Sequence, residues 1–225
     1  MKYTSCDHQK VVVTYEAADA KYKPINNRAK LKRVIDKYGL PSQFIMYVGS
    51  LSPRKNMTRL LQAFASIKDQ IPHQLVLTGS KSWKDADVYQ TIARLSIQDR
   101  IHKLGYVDEQ DMPGLYNLAE AYIYPSLYEG FGLPVLEAMQ CECPVIASMS
   151  TSIPEVAGDA AILFDPMDPN AMANAICQVL LDRDLREQLK VKGLARAKQF
   201  SWIKCAQTMW QTIRAIAGQN LILKQ

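Results

Sequence analysis

The sequence lacks the features that would indicate a membrane, secreted or disulfide-stapled protein. None of its apolar runs approaches the roughly 20 residues that a membrane-spanning helix needs, and no signal peptide opens it. Its five cysteines are odd in number and irregularly spaced, so they form neither a disulfide framework nor a convincing zinc site. We therefore expect a cytoplasmic protein, and peripheral contact with a membrane stays open.

Strong charge is absent as well. The net charge of +5 suits an anionic small ligand or an acidic surface without proving either. The basic residues concentrate at positions 21–37 and 183–198, on predicted helices rather than beside the aromatic platforms of a nucleic-acid binder. Solvated helix faces explain these runs, with contact to an anionic membrane surface as the alternative. No nucleic-acid partner is predicted.

What the sequence does contain is a regular alternation of short apolar runs and amphipathic helical patterns. Residues 44–48 are apolar throughout, as expected for a strand covered on both faces. Asn56 is the predicted cap of the helix that follows. Strands are predicted at residues 11–15, 44–48, 74–77, 101–104, 121–124, 144–147 and 161–164. Helices are predicted at residues 27–38, 57–69, 87–97, 112–118, 169–181, 185–199 and 202–217. This alternation predicts an α/β fold, a Rossmann-like doubly wound parallel sheet.

In such sheets ligands bind beyond the carboxyl ends of the strands, and the loop after residues 121–124 is unusual. It contains Gly130 and Gly132 and leads into a helix whose first turn carries Pro134. A helix start offers free N–H groups and about half a positive charge, which suits a diphosphate. Glu137, one turn inside, could accept hydrogen bonds from a ribose diol, and Glu129 could accept them from sugar hydroxyls. A tight turn whose glutamates face water is the alternative.

The loop after residues 44–48 places Arg54 and Lys55 just before a helix. A charge-assisted hydrogen bond contributes about 1.5–3 kcal/mol, whereas millimolar to micromolar binding needs about 4–8 kcal/mol. A helix terminus alone is therefore insufficient, but a terminus with both cations could hold a nucleotide. A capped surface turn is the alternative. The loops at residues 78–80 and 105–108 could hold a base, although ordinary turns explain them too.

Together these motifs resemble glycosyltransferase family 4, whose retaining enzymes have the GT-B architecture of two Rossmann-like domains. The family's paired glutamates, separated by seven residues, correspond to Glu129 and Glu137 in the segment Glu-Gly-Phe-Gly-Leu-Pro-Val-Leu-Glu. Residues 53–56, 105–107, 153–159 and 200–202 also resemble family motifs. The glutamate pair argues against a GT-B enzyme of another class, such as a nucleotide-sugar epimerase.

The resemblance implies roles for individual residues. Lys55 would bind the donor diphosphate, Glu137 the nucleotide ribose and Glu129 the transferred sugar. Many members carry arginine where this chain has Ser50, and Arg54 is the candidate replacement. The catalytic candidates are Glu129, Lys55 and Arg54. The predicted donor-binding residues are Glu137, Phe131, Gly132, Leu133, Gly49, Ser50, Tyr106 and Val107. No metal or cofactor is implied, and the donor is a nucleoside-diphosphate sugar, either GDP-mannose or a UDP-sugar.

The resemblance also implies a domain organisation. Residues 1–43 would be an interdomain linker with a strand and a basic helix, residues 44–200 the donor-binding domain, and residues 201–225 a C-terminal crossover helix. The family's N-terminal domain, which binds the acceptor and usually supplies a catalytic histidine, has no counterpart in this sequence. We therefore expect the donor half of a hexosyltransferase, inactive without an acceptor domain from another chain. The apolar residues of the last helix would be partly uncovered and would favour a partner or self-association. A stand-alone nucleotide or nucleotide-sugar binding module is the competing hypothesis.

Overall fold

The computed structural model describes residue 7 and residues 10–79 and 86–222. The strands are β1 (Phe44–Val48), β2 (Gln74–Thr78), β3 (Ile101–Gly105), β4 (Ala121–Tyr124), β5 (Val145–Ser148) and β6 (Ala161–Phe164). The helices are α1 (Arg28–Tyr38), α2 (Met57–Ile67), α3 (Ala86–Arg94), α4 (Met112–Leu118), α5 (Leu133–Gln140), α6 (Ile153–Ala157), α7 (Pro169–Leu181), α8 (Arg183–Ala197) and α9 (Trp202–Ile222). Short 3-10 helices lie at Pro53–Lys55 and Gln98–Arg100.

The six strands form one parallel sheet in the order β3-β2-β1-β4-β5-β6. Adjacent residues of a strand point to opposite faces, so Met46 enters the core under α4 and α5 while Ile45 enters the core under α2 and α7. Both faces of the central strands are thus buried, which explains why β1, β4 and β5 are apolar at nearly every position, whereas the edge strand β3 carries His102 and Lys103. The strand order reverses between β1 and β4. The α/β, Rossmann-like prediction is confirmed.

The predicted strand at residues 11–15 is wrong. This segment pairs with no strand in the described structure, and Val11, Val12 and Val13 are exposed. β-Branched residues favour an extended backbone, but a strand also needs a neighbour, and that neighbour is not encoded locally. The linker is attached to the domain by side chains instead, since Tyr15 packs against Phe131 and Phe200 and Tyr22 is buried in the core. The short helix α6 was also missed, since five residues carry little periodic signal.

Helix α1 is fastened to the domain by one buried carboxylate. The side chain of Asp111 is only 1% exposed, and it accepts hydrogen bonds from Lys37 at 2.6 Å and from Arg33 at 3.2 Å. The Tyr38 hydroxyl donates to the same group, and Lys37 also pairs with Asp108. Although burial raises the pKa of Asp111, the bonds from Lys37 and Tyr38 outweigh it and hold the pKa below its ordinary value. Two of the five basic residues of α1, Arg33 and Lys37, therefore hold the helix to the domain.

Helix α9 keeps an apolar face uncovered in this chain. Its exposed large apolar residues are Trp202, Ile203, Met209, Trp210, Ile213 and Ile216. This confirms the predicted exposure of the apolar residues in the last helix. In the part of the chain that is described, no helix combines the length and the hydropathy that crossing a membrane requires.

Candidate active site

Three charged side chains meet where the strand order reverses. Lys55, from the loop after β1, lies with Nζ 2.7 Å from Oε1 of Glu129, which belongs to the loop after β4. Arg54 places Nη1 2.9 Å from the other oxygen of the same carboxylate. Lys55 and Glu129 are nearly buried, whereas half of the Arg54 side chain is exposed. The crevice beyond such a reversal is where doubly wound sheets bind ligands.

The two loops are joined by further hydrogen bonds. Arg54 Nη1 donates to the Tyr128 carbonyl at 2.6 Å, and the Leu127 amide donates to the Arg54 carbonyl at 2.9 Å. The side-chain nitrogen of Asn56, Nδ2, donates to the carbonyls of Pro125 and Pro166, at 3.1 and 2.7 Å. These contacts fix the backbones that carry the charged side chains.

The prediction that Asn56 caps α2 with its side chain is therefore wrong. Asn56 lies at the helix start with a left-handed backbone, φ 60°, but its side chain makes no capping bond. It instead supplies two buried carbonyls with the donor that buried carbonyls require. Its buried position next to proline carbonyls is a tertiary feature that no local pattern reveals.

The loop between β5 and α6 supports Glu129 from the opposite side. The Ser152 hydroxyl donates to the carbonyls of Glu129 and Phe131, at 3.1 and 2.9 Å. The Glu129 amide donates to Oγ1 of Thr151 at 3.0 Å. Sequence reasoning missed both hydroxyl residues. The available signal was a run of Ser and Thr after a strand, which suits bonding to nearby backbone but does not identify the partner.

Gly132 forms the junction between this loop and α5. Its φ of 110° is a conformation that side chains rarely adopt, and a Cβ there would lie 2.6 Å from Cδ1 of Ile153. It stands at the N-cap of α5, which begins at Leu133 with proline in its first turn. The ring of Phe131 packs against Tyr15 and Phe200, so a ligand would meet Phe131 through its backbone. The free N–H groups of this helix start lie beside the loop that carries Glu129.

Gly49 and Ser50 lie in a tightly packed backbone region. The Tyr47 hydroxyl donates to the Ser50 carbonyl at 2.7 Å, and the Gly49 amide donates to the Thr78 carbonyl at 2.9 Å. A Cβ on Gly79 would lie 2.1 Å from the Gly49 carbonyl oxygen. The loops after β1 and β2 therefore touch through glycine backbone.

The remaining candidates stand apart from the charged cluster. Tyr106, after β3, is 74% exposed, and no contact in the described ranges brings it to Lys55 or Glu129. The side chain of Val107 is buried in the core, which leaves only its backbone for a ligand. Ser80, from the candidate loop after β2, lies outside the described residues.

The two glutamates have opposite electrostatic environments. Partial burial raises the pKa of Glu129, but hydrogen bonds from Lys55 and Arg54 outweigh it and the pKa is lowered. Burial also raises the pKa of Glu137, and the hydroxyl bonds that oppose this effect do not cancel it, so its pKa stays raised. Glu137 Oε2 accepts a hydrogen bond from the Tyr116 hydroxyl at 3.2 Å.

This arrangement combines groups for an anion with groups for hydroxyls. Two cations and a helix start suit a phosphate chain, and two carboxylates suit hydroxyl donors. Among residues 7, 10–79 and 86–222, no three His, Cys, Asp or Glu side chains are grouped so that they could hold a metal ion. The chain matches the sequence model of the family Glycosyl transferases group 1 over residues 28–196. The chain belongs to this family.

This group 1 glycosyl transferase chain has curated and structural relatives. It is 42% identical, over 209 residues, to O-antigen chain mannosyltransferase B of Escherichia coli, and the match covers 92% of this chain and 54% of that protein. Sucrose-phosphate synthase from Thermosynechococcus elongatus is similar in structure, with a TM-score of 0.78, 28% identity and coverage of 91% of this chain and 52% of that one. HepE of Anabaena, solved with UDP and glucose, has a TM-score of 0.77 at 24% identity, with 88% and 55% covered, and shows similarity of fold. The chain thus spans about half the length of these relatives.

Proposed function

We propose that this chain is the donor-binding part of a retaining glycosyltransferase that transfers a hexose from a nucleoside-diphosphate sugar to a saccharide or lipid-linked acceptor. The observation that carries the proposal is the cluster of Lys55, Arg54 and Glu129 at the reversal of strand order, beside the start of α5. Family membership supports the reaction class, since the 42% identical relative is named a mannosyltransferase.

In this proposal the two cations bind the diphosphate and stabilise its developing charge as the glycosidic bond breaks. Glu129, which pairs with both cations in the structure, turns to the hydroxyls of the transferred sugar. Glu137 accepts hydrogen bonds from the ribose diol. Backbone groups complete the proposed donor site, at Phe131, Gly132, Leu133, Gly49, Ser50 and Val107, with Tyr106 beside the base.

Two donors fit the proposal. GDP-mannose is favoured by the mannosyltransferase relative, whereas a UDP-sugar is favoured by HepE, which was solved with UDP and glucose. No cofactor other than the donor takes part. The cations and the helix start supply the charge stabilisation that a metal provides elsewhere.

The other partners are also proposals. The chain spans 54% of its mannosyltransferase relative, and we propose that transfer requires an acceptor-binding domain, with residues 1–43 as linker, 44–200 as donor domain and 201–225 as crossover helix. The uncovered apolar face of α9 is the surface for that domain, with self-association as the alternative. We propose a cytoplasmic location; an anionic membrane surface is the weaker partner, because Arg33 and Lys37 of the basic helix are already paired.

Calorimetric titration with UDP, GDP and ADP tests the proposal. We expect one diphosphate to bind and Lys55→Ala to weaken it by about 10- to 150-fold, the equivalent of one lost charge-assisted bond. Lys32→Ala is the matched control, since Lys32 forms an exposed pair within α1 and should leave binding unchanged. Absence of binding by the unmodified chain, or equal binding by Lys55→Ala, contradicts the proposal.

A second measurement separates the enzyme from a stand-alone binding module. The isolated chain should release no nucleoside diphosphate from GDP-mannose or UDP-glucose when acceptors are added. Fusion to the acceptor-binding domain of the 42% identical relative should restore transfer. A fusion that binds the donor and transfers nothing favours the binding module.

A further inference from the structure

A row of tyrosine rings connects the linker to the candidate active site. Tyr22 and Tyr116 make an edge-to-face contact with centroids 5.8 Å apart, and Tyr116 and Tyr122 make another at 5.4 Å. Tyr124 follows at 5.8 Å from Tyr122. These tyrosines come from the linker, α4 and β4, and they are buried.

The hydroxyls of this row reach both glutamates. The Tyr116 hydroxyl donates to Oε2 of Glu137 at 3.2 Å. At the other end, the Tyr124 hydroxyl accepts a hydrogen bond from Lys55 Nζ at 3.4 Å, and Lys55 pairs with Glu129. The Tyr122 hydroxyl between them is fully buried and has no hydrogen-bond partner in the described part of the chain.

We propose that Tyr116 and Tyr22 are positioning residues that hold the Glu137 carboxylate in the orientation that a ribose diol requires. The inference rests on the proposed function and deepens it. It adds the linker to the donor site, because Tyr22 lies outside the strands and loops of the sheet.

The packing of Tyr116 makes its hydroxyl a fixed donor. Its ring is fully buried between Tyr22 and Tyr122, and edge-to-face contacts on both sides restrict its rotation. Burial raises the pKa of Tyr116 well above its ordinary value, so the hydroxyl keeps its proton. A carboxylate that accepts from a fixed hydroxyl loses less rotamer freedom when a ligand binds.

Glu137 needs this support because of where it lies. It is half-buried, and burial is the largest influence on its pKa, acting against the charged form. The hydrogen bond from Tyr116 favours the charged form, and so do the nearby Tyr22 hydroxyl and the positive charge of Lys21. The titratable and charged groups that face Glu137 from the neighbouring elements are Lys21, Tyr22, Glu109, Tyr116, Tyr122 and Cys141. Lys21 is the one cation of this set within the described residues and is itself paired with Glu109, whereas the Tyr116 hydroxyl donates directly to Glu137.

Tyr116→Phe removes the hydroxyl and keeps the ring, and Tyr122→Phe is the matched control. Calorimetry should use UDP and GDP together with their 2′,3′-dideoxy analogues. We expect Tyr116→Phe to weaken the ribose nucleotide that the wild type binds by about three- to tenfold and to leave the dideoxy analogue unchanged. Tyr122→Phe should leave both unchanged. A merely structural role for Tyr116 would weaken both nucleotides equally, which would overturn the inference.

The pH dependence gives an independent readout. Affinity for the ribose nucleotide should fall as the pH drops through the pKa of Glu137, because protonation removes an acceptor. Loss of the Tyr116 hydroxyl raises that pKa further, so the fall should begin at higher pH in Tyr116→Phe and not in Tyr122→Phe. Tyr22→Phe should also move the fall in affinity to higher pH. This second variant keeps the test available if Tyr116→Phe does not fold. Unshifted profiles in the variants that fold overturn the inference.

The failures are distinguishable. If the wild type binds no diphosphate, the proposed function is wrong and the inference falls with it. If the wild type binds a diphosphate and Lys55→Ala weakens that binding as expected, the proposed function stands. If Tyr116→Phe and Tyr22→Phe then behave as wild type, the inference alone is wrong.

Discussion

Glu129 and Glu137 are separated by only seven residues, yet they lie in opposite surroundings in the folded protein. Glu129 lies between Lys55 and Arg54, with both of its oxygens paired to cations. Glu137 lies among tyrosine hydroxyls and apolar groups, with Lys21 acting only at longer range. The pKa of the first is lowered and that of the second is raised.

This difference indicates that the two carboxylates have different effects on stability. The surroundings of Glu129 stabilise a charge even without a ligand, so that carboxylate contributes to folding while it occupies the cations that a diphosphate would need. The surroundings of Glu137 leave a partly desolvated carboxylate whose interactions are incomplete, which costs stability and suits a ligand with hydroxyl donors. Groups that reduce stability in the empty protein are characteristic of functional sites.

The largest expected effect comes from a substitution at Gly132, which joins the loop that carries Glu129 to the helix that carries Glu137. Gly132→Ala places a Cβ 2.6 Å from Ile153 in a backbone conformation with φ 110°. Strain at such a position and overpacking each cost about 1–3 kcal/mol, so the free energy of unfolding should fall by about 2–6 kcal/mol. Urea denaturation measures the loss, and diphosphate binding should be lost with it.

Gly130→Ala is the control for this change. Gly130 lies in the same loop, and a Cβ there would meet nothing within 4 Å. It should change the free energy of unfolding by no more than about 0.5 kcal/mol. Equal losses in the two variants would mean that the loop tolerates no side chain anywhere, and that the junction at Gly132 has no special role.

Replacing each glutamate separately should change stability in opposite directions. At neutral pH, Glu129→Gln should cost about 1–2 kcal/mol, allowing for screening of the half-exposed Arg54. Glu137→Gln should gain on the order of 0.5–1 kcal/mol, since an isosteric neutral group relieves the burial of a charge. Chemical denaturation at pH 7 to 8 measures both, and Glu187→Gln, which breaks an exposed pair with Lys190, should have almost no effect.

The pH dependence of these two effects follows from the direction of each pKa shift. Glu129 has a lowered pKa, so its contribution is complete above the ordinary glutamate pKa and is lost as the pH falls through the lowered value. Glu137 has a raised pKa, so its cost is complete above that raised value and disappears as the pH falls toward the ordinary one. On acidification the Glu137→Gln variant should converge with the wild type first. Convergence in the reverse order would contradict the assigned environments.

Much of this site could be predicted from local sequence, and the rest depended on packing. The apolar runs indicated the strands. Gly132 before α5 and Pro134 in its first turn indicated the helix that carries Glu137. The contact between Glu137 and Tyr116 joins positions 21 residues apart, through the packing of α5 against α4, and no local period encodes it. Asn56 illustrates the same limit, because its residue type predicted a cap whereas its position next to two buried carbonyls decided its role.

The smallest expected effects are on nucleotide affinity, and they should again have opposite signs. Glu129→Gln removes the group that pairs with Lys55 and Arg54, so UDP or GDP, whichever the wild type binds, should bind about threefold more tightly. Glu137→Gln should weaken the same diphosphate by about three- to tenfold, because a neutral amide is a weaker acceptor for the ribose. With the intact nucleotide sugar the advantage of Glu129→Gln should disappear, since the sugar then loses its carboxylate partner. Calorimetry with the diphosphate and its sugar conjugate measures all four values. Equal weakening of the free diphosphate by both substitutions would show that Glu129 does not compete for the cations, and that its ion pairs serve only to position the loop.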